Sequence, residues 1–121
     1  NSTAGLRVQI GAGSVQTSSY GGAAITVPAG GTTSGNQFSQ GFDITPGSQS
    51  ASSLHDGVVV LVALQSANTW LMTSVIGRED ANASAYGGGR VIGSGTLDRV
   101  RVTTTNGTDT FDSGTINIFY E

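Results

Sequence analysis

Cysteine is absent from the 121 residues, and so is lysine, because all five basic residues are arginines. Without thiols the chain has no disulfide scaffold and no thiolate metal site. Histidine occurs once, proline twice, and charged residues make up 11% of the chain, roughly half the usual share for a globular domain. The formal net charge is −3 and the pI about 4.8. That balance excludes the clustered positive charge by which a nucleic acid or an anionic membrane surface is held, and neither partner is expected. The longest apolar run, residues 58–64, is too short to span a bilayer, so no membrane insertion is expected. No secretory apolar region opens the chain and Asn1 is not an initiator, so the sequence reads as a fragment or a processed piece.

What is present is glycine, 19 of 121 residues, with serine and threonine at about a quarter of the chain. Disorder is the alternative reading of such a composition, but 36% of residues are hydrophobic and they gather in β-branched runs. Leu6-Arg7-Val8-Gln9-Ile10 alternates with the period of a half-buried strand. Further strands are expected at 24–27, closed by Pro28, and at 37–44, with Phe38, Gln40, Phe42 and Ile44 on one face. The stretch 57–64 is apolar on both faces, so it needs cover on both, from the centre of a sandwich or from a neighbouring subunit. A turn at 66–68 leads into a strand at 69–76. Residues 77–89 show no apolar pattern and read as a long loop, followed by a short edge strand at Val91 and Ile92. Val100 and Val102 oppose Arg99 and Arg101 in a strand over 97–104, and Ile116, Ile118 and Tyr120 share a face of a last strand over 115–120. No segment has helical periodicity with caps. The expectation is one all-β domain over 1–121, an antiparallel β-sandwich of jelly-roll type, with the C-terminus directly after its last strand.

Little in the chain suits catalysis. The single histidine, His55, is followed by Asp56, and neighbours on a strand point to opposite faces, so Asp56 is badly placed to orient it. No serine occupies a Gly-x-Ser-x-Gly elbow before a helix. Glu79-Asp80 and the Asp109/Asp112 pair read as loop and turn residues rather than as carboxylates facing each other across a cleft. Asn106, Asp109 and Asp112 have calcium-type oxygen chemistry without the spacing of a helical calcium loop, and turn formation is the better reading. Gly11-Ala12-Gly13 lacks the third glycine and helix of a dinucleotide fingerprint. No enzyme activity, cofactor or metal is therefore expected.

Binding suits loops on a rigid β scaffold. Sugar recognition needs flat aromatic faces and short polar side chains. Tyr20, Trp70 and Tyr86 lie in or near expected loops, with Trp70 favoured as core, and Arg78, Glu79, Asp80, Asn82 and Arg90 surround Tyr86 in sequence. Tyr20, Arg78, Glu79, Asp80, Asn82, Tyr86 and Arg90 are the candidate glycan-binding set.

Leu97-Asp-Arg-Val-Arg101, Thr105-Asn-Gly-Thr-Asp-Thr-Phe-Asp-Ser-Gly114 and Ile116-Asn-Ile-Phe-Tyr-Glu121 together resemble the closing pattern of a domain at the C-terminus of bacteriophage tail fibre proteins. Upstream, Leu6-Arg-Val-Gln-Ile-Gly11, Gln16-Thr-Ser-Ser-Tyr20, Gly41-Phe42 and Asn68-Thr-Trp70 fit the same series in the same order. The resemblance is specific over the last 28 residues and looser at 21–36 and 78–93. Members of that family usually carry a further apolar strand with a tryptophan ahead of the point where this chain begins. The resemblance implies the distal end of a homotrimeric fibre on the virion, with loops touching a bacterial surface polysaccharide, capsule or lipopolysaccharide. The alternative is a structural trimerisation cap without receptor contact.

Overall fold

The computed structural model describes residues 4–47, 49–64 and 68–121. Within them the chain forms β1 (Leu6–Ala12), β2 (Ser14–Val15), β3 (Tyr20–Pro28), β4 (Ser34–Phe38), β5 (Phe42–Asp43), β6 (His55–Ala63), β7 (Thr69–Arg78), β8 (Ala83–Ile92) and β9 (Arg99–Thr104). A single turn of 3₁₀ helix, Glu79–Ala81, lies between β7 and β8. Two antiparallel sheets make an all-β sandwich, as the alternating sequence predicts. Ser66 and Ala67 of the expected 66–68 turn lie outside the described residues.

The larger sheet has the order β4-β3-β8-β7-β6. Three hairpin-connected strands, β6, β7 and β8, return beside β3, which is one Greek key where a jelly roll carries two. In the smaller sheet β9 runs along one edge of β1 from Leu6 to Gly11. The other edge of β1 is shared end to end by β5, opposite Arg7 and Val8, and β2, opposite Gly11 and Ala12.

Between β5 and β2 the edge of β1 is open at Ile10, and there the side chain of Tyr20 does what a strand would do. Its hydroxyl accepts the Ile10 amide at 2.9 Å and lies 3.2 Å from the Ile10 carbonyl oxygen and 3.1 Å from that of Gln16. The Gln16 amide donates to the Ile10 carbonyl. The Tyr20 ring meets Phe42 edge-on at 4.9 Å, and Phe42 meets Phe38 at 5.9 Å. These rings join Val8, Ile10, Ile44, Met72, Ile76, Ala85 and Val91 in the core. Trp70 packs against that core while staying half-buried.

Four expectations are corrected. The single strand over 37–44 is two, β4 in the larger sheet and β5 in the smaller, because the chain crosses between sheets at 39–41; Phe38, Phe42 and Ile44 are buried as expected. The expected loop over 77–89 is only 79–82, and Val91 and Ile92 end a central strand rather than form an edge one. Three successive glycines disfavour a strand intrinsically, but tertiary packing closes on the first and the last of them, Gly87 and Gly89. A Cβ on Gly89 would sit 2.7 Å from the Phe38 ring, and one on Gly87 2.6 Å from Ser74 Oγ. The residue paired with Gly89, Gly22, has φ +155 and the same ring 2.6 Å from where its Cβ would be. Finally, residues 115–120 are not a strand. They have no ladder partner among the described residues, and an extended segment without one gains nothing against its ordering entropy.

Candidate functional site

At the end of β7 the Arg78 guanidinium makes a two-pronged contact with Asp80, Nε to Oδ1 and Nη2 to Oδ2, each at 3.0 Å. The Ser53 hydroxyl donates to the same carboxylate at 3.4 Å. The guanidinium holds the Asp80 carboxyl below the ordinary carboxylate range. The 3₁₀ turn then closes on Asn82, which takes a left-handed conformation with φ 45 and donates its amide to the Glu79 carbonyl. Asparagine tolerates that conformation better than most residues, since its short side chain bonds locally. The Asn82 carbonyl in turn accepts the Ala29 amide at 2.9 Å, which ties the exit of β3 to the tip of the β7–β8 hairpin.

Between these two elements lies an open groove of about 410 Å³, within the size range of ligand clefts. One wall is Val27 and Pro28, the other Arg78, Glu79 and Asn82, with the exposed Tyr86 ring beside them. Four of the seven candidate residues are thus brought together: Arg78, Glu79, Asn82 and Tyr86. Asp80 contributes through its clamp on Arg78. Arg90 shares the outer face of β8 with Tyr86 but stands four residues along the strand, roughly 13 Å away and outside the groove. Tyr20 is a correction. It is 5% exposed and its hydroxyl is consumed by backbone, so it belongs to the core rather than to a binding surface. Val27 and Pro28 were not among the candidates, because only the long-range pairing of Pro28 with Ala83 places them there, and nothing local in the sequence signals it.

His55 begins β6, half-buried, with Nε2 3.3 Å from Gln49 Oε1. Burial and then the nearby Arg78 lower its pKa below the usual imidazole value. Asp56 next to it on the strand is exposed. Around Asn106 the side-chain oxygen accepts the Thr104 hydroxyl and the amides of Thr108 and Asp109, and the side-chain nitrogen donates to Asp109. That is an Asx turn using its own donors. Among the described residues no group of three histidine or acidic side chains gathers as a metal site.

The outer faces of the two sheets differ in kind. On the smaller sheet, Arg7 pairs with Asp43 at 2.5 Å and Arg101 Nε donates to Gln9 Oε1 at 2.9 Å, so that face carries a polar ladder in which Asp43 and Gln9 are buried. On the larger sheet Val58, Val75, Tyr86 and Ile25 form one cross-strand row, and Val62, Leu71 and Arg90 another. Val58 is 63% exposed and Val75 52%. The strand that is apolar on both faces is therefore covered only on its inner one, at Val59 and Leu61, and only in part there. Comparison of the chain with protein-family models, with curated proteins and with solved structures finds no match.

Proposed function

We propose that this chain is the receptor-binding tip of a phage tail fibre, at the distal end of the virion's fibre, and that it binds a bacterial surface glycan without cleaving it. The observation that carries this reading is the groove at the β7–β8 hairpin, lined by the exposed Tyr86 together with Arg78, Glu79 and Asn82. A ring of that kind covers the apolar face of a pyranose, and the three polar groups match its hydroxyls. The groove is open along its length, as a site for a polymer chain must be. One such site is weak, and three copies on a homotrimer multiply it through effective concentration. The test is binding to arrayed capsular polysaccharides and lipopolysaccharides. Tyr86→Ala is expected to weaken binding at least tenfold, about 1.4 kcal/mol, with the circular dichroism spectrum unchanged. Unaltered binding by that variant removes the groove from the reading.

A second reading, a trimerisation cap without receptor contact, is favoured by the apolar outer face of the larger sheet. An exposed patch of this kind on a sheet marks an association surface. On this reading groove substitutions are silent, while Val60→Asp, midway along the edge strand β6 on that face, abolishes assembly as measured by light scattering.

A further inference from the structure

The smaller sheet is three strands wide and the larger five, because β2 and β5 share one edge of β1. The shortfall falls at β9, whose far edge has no strand partner among the described residues. Consequences are visible beside it. Val100 pairs with the buried Ile10 and so faces inward, yet it is 40% exposed. Val102 on β9, and Val59 and Leu61 on the inner face of β6, are only partly buried. A row of inward apolar side chains at an open edge is a template for one more strand.

The same chain carries a strand pattern with no sheet to receive it. Residues 115–120 alternate with period two, Ile116, Ile118 and Tyr120 on one side and Asn117 and Phe119 on the other. Ile116 and Ile118 are 63% and 67% exposed, and Phe119 and Tyr120 above 90%. Within one chain this segment forms no ladder with β9. Residues 104–109 are closed into their own turn by Asn106 and by the bond from the Gly107 amide to the Thr104 carbonyl.

We propose that residues 115–120 of one copy add as an antiparallel strand to the open edge of β9 in a second copy. Every strand pair among the described residues is antiparallel. In that arrangement Ile116, Ile118 and Tyr120 continue the inward row of Val100 and Val102. Asn117 and Phe119 fall on the outer side with Arg99 and Arg101, where a guanidinium over the Phe119 ring is favourable. A donor strand and an acceptor edge on different parts of one chain make a head-to-tail contact, which closes into a ring when the rotation between copies allows it. The apolar outer face of the larger sheet is a separate surface that association also covers. This inference is independent of glycan binding and specifies which surfaces join the copies.

The absence of cysteine makes the test clean, since engineered thiols are the only ones present. Three double variants combine Val102→Cys with Ile116→Cys, Ile118→Cys or Tyr120→Cys. Each is oxidised at the concentration where light scattering gives the parent mass, then run on a non-reducing gel. At least one is expected to give chains bridged to one another, and mixing the two matching single variants is expected to give a bridged pair. A bridge within one chain, seen as a faster monomer band, overturns the proposal, and so does the absence of any bridge in all three. Either result with the mass of a trimer retained rejects strand addition alone and leaves the trimeric receptor tip standing. As an independent check on a chain without thiols, Ile118→Asp is expected to reduce the mass to one chain with the circular dichroism of the sandwich kept; an unchanged mass overturns the proposal.

Discussion

Replacing Tyr20 with phenylalanine separates a structural role from a binding one at a residue that sequence alone places among glycan contacts. The ring stays, so the edge-on contact with Phe42 survives, and what is lost is one hydroxyl. That hydroxyl is the partner of the Ile10 amide, in a buried bond of 2.9 Å at the gap between β5 and β2. An amide left buried without an acceptor costs about 1–3 kcal/mol. With an unfolding entropy of about 2.1 cal/mol/K per residue, a chain of this length shifts its melting temperature by roughly 4–12 °C for that cost. The assay is calorimetry at fixed protein concentration, because association would otherwise move the midpoint. The alkaline limb gives a second readout. Burial raises the Tyr20 pKa above its ordinary value of 10. The folded phenol therefore ionises at higher pH than the unfolded one. Its contribution is whole below pH 10 and is lost as pH rises above it, and Tyr20→Phe should lack that part of the limb. Glycan binding by the variant, measured well below its midpoint, should equal the parent's. A variant as stable as the parent, or one that folds with full stability but no longer binds, refutes the assignment of Tyr20 to the core.

Gly89→Ala should destabilise the chain by about 1–3 kcal/mol by overpacking, since its new methyl would meet the Phe38 ring at 2.7 Å and the Gly21 carbonyl oxygen more closely still; a denaturant midpoint unchanged from the parent would contradict this. Asp98 accepts the Gly13 amide at 3.0 Å and pairs with Arg99 at 2.7 Å, and its pKa is lowered to about 2, first by the bond from Arg99. A depressed carboxyl contributes stability above its unfolded pKa near 4 that is lost as pH falls toward 2. Asp98→Asn should therefore flatten the stability profile between pH 4 and 2 without altering it at pH 7 by more than the loss of that contribution, as read by denaturant titration at each pH.

Period-two alternation marks β1 and β9 from their own residues, because a strand with one buried face must write that face into every second position, whereas β6 is marked by an apolar run and β7 by the turn before it. The lack of helical periodicity, beside the β-branched runs, likewise gives the all-β class without any tertiary information. Arg78, Glu79 and Asn82 were legible for a local reason, a polar hairpin tip, whereas Tyr86 lies within β8 and is exposed because the outer face of the larger sheet is uncovered. The remainder was decided by contacts between distant parts of the chain. Gly87, Gly88 and Gly89 have no intrinsic preference for a strand, and only Ser74 against Gly87 and the Phe38 ring against Gly89 make glycine the residue that fits at those two positions. Tyr20 looked like a surface aromatic until β1 supplied an unpaired amide for its hydroxyl. Residues 115–120 carry a strand pattern that was read correctly as a pattern, yet a strand exists only where an edge receives it. Local sequence writes which face of a segment is apolar, and the tertiary structure alone determines which edge, ring or neighbouring strand meets it.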